Sequence, residues 1–401
     1  MMTADEILDH EITRLQSFIE NSKISFLNRL AHSKLALVVI AMMVLLFQLR
    51  NMPETLANSS LDAAIEIEHP VPAHSVRLVT INDDDYRNLF HARSPLDPAV
   101  LGNLLTAISQ GNPRAIVVDI DTNDPSFSSM QTPQIPVIWN VSGDQQPDGK
   151  FTLDPPLGGR PLPAGSMKAL AAAPQDDRGI VRGYQPVYPL ASGGFVDSPG
   201  YAAAQVVAAH PSSLSSMQGS ETHFLDYRYR FVPVSATDLL NDAKSAGWNK
   251  AGIFTGQVVV VGGAYRAGRD QYSTPRGLMD GCEVVAQSAS AEIDGTYIGA
   301  VSRWMTGGLL VVGGLATLAV YHWLKFRPAF LISLAMVPLL SVISNFILFH
   351  RFAAWGAMVP LVIAVIVAEL YSKATFYLTF YQRVALLRTD GPVVLPPLKS
   401  E

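Results

Sequence analysis

Hydrophobic residues are concentrated in four long blocks that lie towards the two ends of the chain. The first block covers residues 35–49, and three more cover residues 304–324, 329–349 and 352–371. Each block approaches or reaches the roughly 20 apolar residues that a helix needs to cross a bilayer. The pattern therefore predicts one transmembrane helix before a long polar segment and three after it.

A cleavable signal peptide is the alternative interpretation of residues 35–49, because a block of this length also suits the apolar region of a signal. The 34 residues before the block are long for such a signal, and residues 49–53 contain no pattern of small residues typical of a cleavage site. We favour a retained span. Both interpretations place the following segment across the membrane.

The orientation of the spans follows from the cationic residues beside them, because Lys and Arg are enriched on the cytoplasmic side. One side of the membrane has more of these cationic residues, and we take it as the cytoplasmic side. They are Arg14, Lys23, Arg29, Lys34, Lys325, Arg327, Lys373, Arg383 and Arg388. The opposite side has Arg50, Arg303 and Arg351 close to the membrane. Both termini are therefore predicted to be cytoplasmic and residues 50–303 external, which in a bacterium means periplasmic.

This topology predicts five segments. They are a cytoplasmic amphipathic helix within residues 1–34, a span at 35–49, a periplasmic domain at 50–303, three spans within 304–372 and a cytoplasmic tail at 373–401. The amphipathic helix is indicated by a capping box at residues 3–6 and by apolar residues at positions 8, 12, 15 and 19. We expect this helix to lie on the surface of the inner leaflet or, alternatively, to bind a partner protein.

The external segment alternates strand-like and helix-like patterns. Strands are predicted at residues 76–81, 115–120, 136–139, 224–229 and 257–261, and helices at about 98–110, 201–209, 235–246 and 282–293. Asp97 and Pro98 are typical of a helix start. The Gly- and Pro-rich residues 145–174 are expected to form long loops. The alternation predicts an α/β domain with a central, largely parallel sheet.

Composition excludes several classes of protein. The net charge is -5 and the isoelectric point is about 6.0, so the chain as a whole lacks the basic field that nucleic-acid binding requires. Cys282 is the only cysteine, which excludes an intrachain disulfide and a cysteine-cluster metal site. The motifs HExxH, GxSxG and GxxxxGK[ST] are absent from the sequence. We therefore predict neither an enzyme nor a cofactor or metal site.

Candidate ligand-binding residues follow the predicted strands. They are Asp83, Asp84, Asp119, Asp121 and Asp270, with Gly262 and Gly263. Ligands of open α/β sheets bind beyond the carboxyl ends of the strands, where these aspartates are expected to converge on a cation or a cationic ligand. The alternative is that the aspartates cap helices and turns or bind Arg182, Arg266 or Arg269. Residues 262–270 resemble a phosphate-binding loop, although a tight turn is the simpler interpretation.

Several blocks of the external segment occur in the order found in one known family. The blocks lie at residues 79–84, 113–120, 176–182, 226–228 with 235–240, 256–263, 269–270 with 274–275, and 279–284. Together they resemble the cyclase/histidine-kinase-associated sensory extracellular domain of the second class, called CHASE type two. The arrangement of one span before the domain and three after it is also similar. The resemblance implies a periplasmic sensory domain.

The chain departs from the family pattern in two ways. Val285 stands where the family usually carries a histidine, so a ligand role for that histidine is not expected. The family usually continues into a cyclase or kinase domain, whereas about 30 residues follow Tyr371 here. So short a segment cannot bury a catalytic core. We therefore expect the output to belong to a separate partner.

Small and aromatic residues near the spans indicate where a partner would bind. Gly307 and Gly314 permit close helix packing, and Phe376, Phe380 and Tyr381 form an aromatic stripe after the last span. Helix packing within the chain and interfacial anchoring are the alternatives.

The sequence thus predicts a sensory or regulatory subunit of the bacterial inner membrane. It would bind an unidentified periplasmic ligand or protein and signal to a membrane or cytoplasmic partner, with a homo-oligomer as a further arrangement. The alternative function is a structural subunit of a cell-envelope complex for secretion or polysaccharide export.

Overall fold

The computed structural model divides the chain into two compact units, and the one described below comprises residues 58–301 and 346–355. Residues 54–208, 222–244 and 252–300 are described, together with residues 332, 354 and 355. The predicted N-terminal helix, the first span, the tail, Gly307, Gly314 and the aromatic stripe all lie outside these residues. The three predicted C-terminal spans also lie outside the described residues, except for residues 332, 354 and 355.

Six α-helices occur in the described residues. They are α1 (Glu54–Ile67), α2 (Asp83–Asn88), α3 (Pro98–Gln110), α4 (Pro199–Ala208), α5 (Ala236–Asp242) and α6 (Gly281–Asp294). Short 3-10 helices cover Pro125–Ser129, Leu157–Gly159 and Arg266–Gly268. No helix in the described ranges combines the length and the apolar character that crossing a membrane requires.

A six-stranded sheet forms the centre of the domain. Its strands are β1 (Val76–Ile81), β2 (Ala115–Asp119), β3 (Val137–Val141), β4 (Met167–Leu170), β5 (Val234–Ser235) and β6 (Val258–Gly263). Their order across the sheet is β5-β1-β6-β2-β3-β4, and all neighbours are parallel. The predicted α/β domain with a parallel sheet is therefore confirmed.

The remaining short strands pair two by two. The pairs are Val71–Pro72 with Tyr229–Arg230, Gly143–Gln145 with Phe151–Leu153, Gly183–Tyr184 with His223–Phe224, Val187–Pro189 with Phe195–Asp197, Gln271–Thr274 with Gly277–Asp280, and Gly299–Ala300 with Ala354–Trp355.

Both faces of the sheet are apolar because helices cover both of them. Successive residues of a strand point to opposite faces, so Val118 and Val261 pack on one side while Val117 and Val260 pack on the other. The first side is covered by α3 and α5, and the second by α4 and α6. This three-layer arrangement explains why the central strands appear in the sequence as continuous apolar runs.

Asp85 joins two helices at the carboxyl edge of the sheet. Its side chain is 1% exposed and accepts hydrogen bonds from the backbone amides of Asn82 (3.1 Å), Ala236 (3.3 Å) and Thr237 (3.1 Å) and from the Ser235 hydroxyl (3.1 Å). These donors include the first turn of α5, whose N-cap is Ser235. A single buried carboxylate therefore satisfies the amides of two helix starts.

Arginine side chains fasten α1 to the rest of the domain. Arg182 is 4% exposed and donates to both carboxylate oxygens of Asp62 in α1 (2.6 and 2.8 Å) and to Asp176 (2.5 Å). Arg276 donates to the carbonyls of Ile65 (2.8 Å) and Glu68 (2.7 Å) at the end of the same helix. The helix that follows the first predicted span is thus bound to two separate loops.

Three sequence predictions of secondary structure need correction. The predicted loops at 145–174 contain β4, which completes the edge of the sheet. The predicted strand at 224–229 is instead two short strands, because Tyr227 adopts a left-handed backbone conformation (φ 51°) that interrupts an extended chain. Residues 354 and 355, predicted to begin the last span, are extended because they pair with Gly299–Ala300.

Candidate functional site

The carboxyl ends of β2, β3 and β6 open into a cavity of about 500 Å³. Asp119 comes from the end of β2, Asn140 from β3 and Gly263 from the end of β6. Asp270 precedes the hairpin that leads into α6, and Gly281 is the first residue of α6. All three strands are parallel, so their last residues meet at one edge of the sheet. This edge is where α/β domains hold ligands.

Asp119 and Asn140 form the base of the cavity. The Nδ2 of Asn140 donates to the Oδ1 of Asp119 at 2.7 Å. Asn140 is 5% exposed, and no donor of the described residues reaches its Oδ1 atom. A buried acceptor without a donor costs free energy, which makes this atom an exception to the usual pairing of buried polar groups.

Asp270 faces the same space from the opposite segment. Its carboxylate accepts a hydrogen bond from the Tyr272 hydroxyl. The backbone carbonyl of Asp270 accepts from the Gly281 amide at 2.9 Å. A Cβ atom at Gly281 would collide with the Asp270 carboxylate, so only glycine allows this close approach.

Burial and neighbouring negative charges raise the pKa values of both carboxyl groups. Burial, together with the negative charge of Asp270, raises the pKa of Asp119 to about 7, although the Asn140 hydrogen bond opposes the shift. Burial also raises the pKa of Asp270, against the Tyr272 hydrogen bond. Burial and Asp270 raise the pKa of Tyr272 to about 12. Among the described residues no Lys, Arg or His forms an ion pair with Asp119 or Asp270.

Part of the cavity lining is apolar. The small and branched side chains of this part are Ala171, Ala172, Ala173, Val181, Leu225, Val284 and Val285. Tyr184 also lines the cavity, and its hydroxyl donates to Glu292 at 2.7 Å. The lining therefore combines carboxylates and hydroxyl-bearing residues with apolar side chains.

The structure brings four of the predicted ligand-binding residues to this cavity. Asp119, Asp121, Gly263 and Asp270 line it. Asp121 accepts from the Asn123 amide at 2.9 Å and so also stabilises a turn. Gly262 is not among the lining residues, and a Cβ atom at this position would collide with the Cβ atom of Cys282.

Asp83 and Asp84 are not among the lining residues. The Oδ1 of Asp83 accepts from the backbone amide of Arg266 at 2.8 Å, and Asp84 forms an exposed ion pair with Arg87 at 2.7 Å. Both residues therefore make the contacts of a helix start or of the protein surface. These contacts agree with the alternative interpretation, in which the aspartates cap helices and turns or bind arginine. Arg182 binds Asp62 and Asp176 rather than any of the candidates.

The glycine-rich residues 262–270 form a tight turn, as the simpler interpretation expected. The amide of Ala264 donates to the carbonyl of Ile81 (2.9 Å), and that of Gly268 donates to the carbonyl of Tyr265 (3.1 Å). The Tyr265 ring stacks on Tyr86, with centroids 4.3 Å apart. Because these two amides have backbone partners, neither is available to bind a phosphate.

Three residues of the site escaped the sequence analysis, namely Asn140, Tyr272 and Gly281. Asn140 carries a signal in the sequence, because it is the one polar residue in the strand VIWNV. A buried polar residue in an apolar strand requires a partner, which indicates a site. No local pattern distinguishes Tyr272 or Gly281.

A family model described as CHASE2 domain matches residues 36–320. The chain belongs to the CHASE2 domain family. The resemblance inferred from the ordered sequence blocks is thereby confirmed, and with it the assignment to a family of extracellular sensory domains. No curated protein matches the chain, and no solved structure does either. The cavity lies within the CHASE2 domain.

We expect Asp119→Asn to flatten the dependence of stability on pH. The pKa of Asp119 is about 7 in the folded domain and near 4 in an unfolded chain. Between these values the folded chain keeps the proton that the unfolded chain has released. The contribution of Asp119 to the free energy of unfolding therefore falls as pH rises, by up to about 1.4 kcal/mol per pH unit.

Urea unfolding of the full-length chain between pH 5 and pH 8 measures this dependence. Asp84→Asn is the matched control because it removes the same charge from an exposed position, and it should keep the slope of the parent chain. An identical slope in Asp119→Asn and the parent would contradict the assignment.

Proposed function

We propose that the CHASE2 domain senses a small ligand in the cavity and that the chain is a membrane-anchored regulatory subunit signalling to a separate partner. The observation that supports a ligand is the pair of carboxylates in the cavity lining, because Asp119 and Asp270 are half-buried and have no basic partner among the described residues. The Oδ1 of Asn140 lacks a hydrogen-bond donor among the described residues. A bound molecule would supply what these groups lack.

The contacts around the cavity provide a route from a ligand to α1. Val181 and Gly183 line the cavity, and Arg182 between them holds Asp62 of α1. A ligand that moves this segment would change the clamp on the helix that follows the first predicted span. Such a response requires that the ligand bind the two states with different affinity.

A second set of contacts leads to the end of α6. The Tyr184 hydroxyl and the His223 ring both contact the Oε1 of Glu292, each at 2.7 Å. His223 stacks on Tyr297, with centroids 3.7 Å apart. Tyr184 lines the cavity, whereas Tyr297 lies just before the predicted second span. We propose that this network carries the signal towards that span.

Filling the cavity is expected to abolish ligand binding while leaving the fold intact. Ala172→Trp places a large side chain in the cavity lining, on a loop where Ala172 is half-buried. Ala191→Trp is the matched control because Ala191 is exposed and does not line the cavity. We expect at least one class in a library of small molecules to raise the unfolding temperature of the full-length chain and the control, and not that of Ala172→Trp.

The sensory proposal fails if no compound stabilises the parent chain, or if the stabilisation survives in Ala172→Trp. A structural role in an envelope complex would then be favoured, because assembly through an outer surface does not depend on the cavity.

We also propose that the domain is periplasmic and that both termini are cytoplasmic. The cationic flanks of the four apolar blocks support this topology. A reporter that is active only in the periplasm should be active when fused after residue 150 and inactive after residue 390. Activity at both positions would contradict the proposed topology.

The tail is the proposed contact with the partner. The aromatic stripe at Phe376, Phe380 and Tyr381 lies beyond the last apolar block, between Lys373 and Arg388. Deleting residues 376–401 should leave membrane insertion unchanged and remove the protein that co-purifies with the full-length chain in mild detergent. An unchanged complex with full function would exclude the tail as the coupling segment.

A further inference from the structure

We infer that the ligand is a small organic cation, a primary amine on an apolar body, whose ammonium group is held by Asp119, Asp270 and the Oδ1 of Asn140. The inference rests on the proposed sensory function and specifies the chemistry of the ligand. It is carried by the hydrogen-bonding capacity, the charge and the shape of the cavity.

The polar residues of the cavity offer acceptors that need donors. Asn140 donates from its Nδ2 to Asp119, and no donor of the described residues reaches its Oδ1 acceptor. Each carboxylate has further lone pairs beyond its bond to Asn140 or Tyr272. A primary ammonium group carries three N–H donors and no acceptor, so it can supply donors to all three of these lining residues.

The charge of the cavity selects a cation. Four of the described lining residues are carboxylates, which are Asp119, Asp121, Asp124 and Asp270, and none is Lys, Arg or His. Asp121 and Asp124 accept from the amides of Asn123 and Ser126, so they stabilise turns while adding to the negative field. An anion would meet repulsion here, and a neutral molecule would leave the carboxylate pair uncompensated.

The apolar part of the lining favours a ligand with a hydrocarbon part. Val181, Leu225 and Val284 are buried and line the cavity. The volume of about 500 Å³ lies within the range typical of small-molecule sites. A ligand with one cationic group and one apolar part matches a lining that contains both carboxylates and apolar side chains.

A metal ion is the other kind of cation that carboxylates bind. Within the described part of the chain, no group of three or more His, Cys, Asp or Glu side chains is placed to hold one. An apolar wall also contributes nothing to a bare ion. These two observations favour an organic cation.

Binding should be coupled to proton release near neutral pH. Because the pKa of Asp119 is about 7 in the ligand-free domain, a cation must displace a proton from this carboxyl at lower pH. The affinity for an amine is therefore expected to rise from pH 6 to pH 8 and to lose this dependence in Asp119→Asn.

Calorimetric titration of the full-length chain in mild detergent tests the inference. The probes are hexylamine and phenethylamine, the neutral analogues 1-hexanol and 2-phenylethanol, methylamine, which lacks the apolar body, and calcium chloride. Titration into empty micelles corrects for partition into the detergent. We expect at least one of the two larger amines to bind with a Kd of about 1 mM or below. Its alcohol analogue and methylamine should bind at least about tenfold more weakly.

Matched variants locate the site. Asp119→Asn and Asp270→Asn should each weaken amine binding at least about tenfold, and Asp84→Asn should leave it unchanged. Thermal unfolding without ligand shows which variants are folded. If one of the two aspartate variants does not fold, the inference is tested with the other variant and with the pH dependence of amine affinity in the parent chain.

Equal affinity for an amine and its alcohol would overturn the inference but leave the proposed sensory function standing. Calcium binding that displaces the amine, or amine binding that survives both aspartate variants, would overturn it as well. If neither larger amine binds, the inference fails, and the library screen on Ala172→Trp then decides whether the cavity senses another ligand.

Discussion

The partial burial of Asp119 beside Asp270 is the constraint on which the candidate site depends. Burial and the negative charge of Asp270 raise the pKa of Asp119, and burial and the negative charge of Asp280 raise the pKa of Asp270. The arrangement also restricts its surroundings. Gly281 must lack a side chain because the Asp270 carboxylate occupies the position that a Cβ atom would take, and Gly262 is limited in the same way by Cys282.

Two other half-buried acids of the domain, Asp62 and Asp176, are paired with a cation and stabilise the fold. Asp62 and Asp176 bind Arg182, and Asp176 also accepts hydrogen bonds from the backbone of Arg178 and Ile180. Although burial opposes ionisation, the Ile180 amide and Arg182 lower the pKa of Asp176 to about 2. The acids at the strand ends have no such cation among the described residues. This contrast distinguishes a structural ion cluster from a site open to a ligand.

Much of the fold could be predicted from the sequence, because the physical signals of its central elements are local. The run 115–120 and the Asp97-Pro98 start of α3 have strong periodicity or capping signals, and the structure confirms both. β4 was missed because a short edge strand needs only β3 as its partner, and its sequence MKAL carries no β-branched residue.

The candidate site was only partly predictable for a related reason. Asp119, Asp121 and Asp270 follow strands, so a parallel sheet was expected to bring them together. Asp83 has the same position in the sequence, but its role at the start of α2 turns it towards the Arg266 amide. Tyr272 and Gly281 join the site through a hairpin and a helix start, which are tertiary features that no local pattern records.

Hydrogen–deuterium exchange of the full-length chain with and without a stabilising ligand tests the central claim most directly. The claim is that the binding of a molecule in the cavity affects α1. The account predicts slower exchange at residues 119–124, 140–142 and 270–285 and a changed rate in Glu54–Ile67, with neither effect in Ala172→Trp. Protection confined to other surfaces, or protection at the cavity with α1 unaffected, would contradict it.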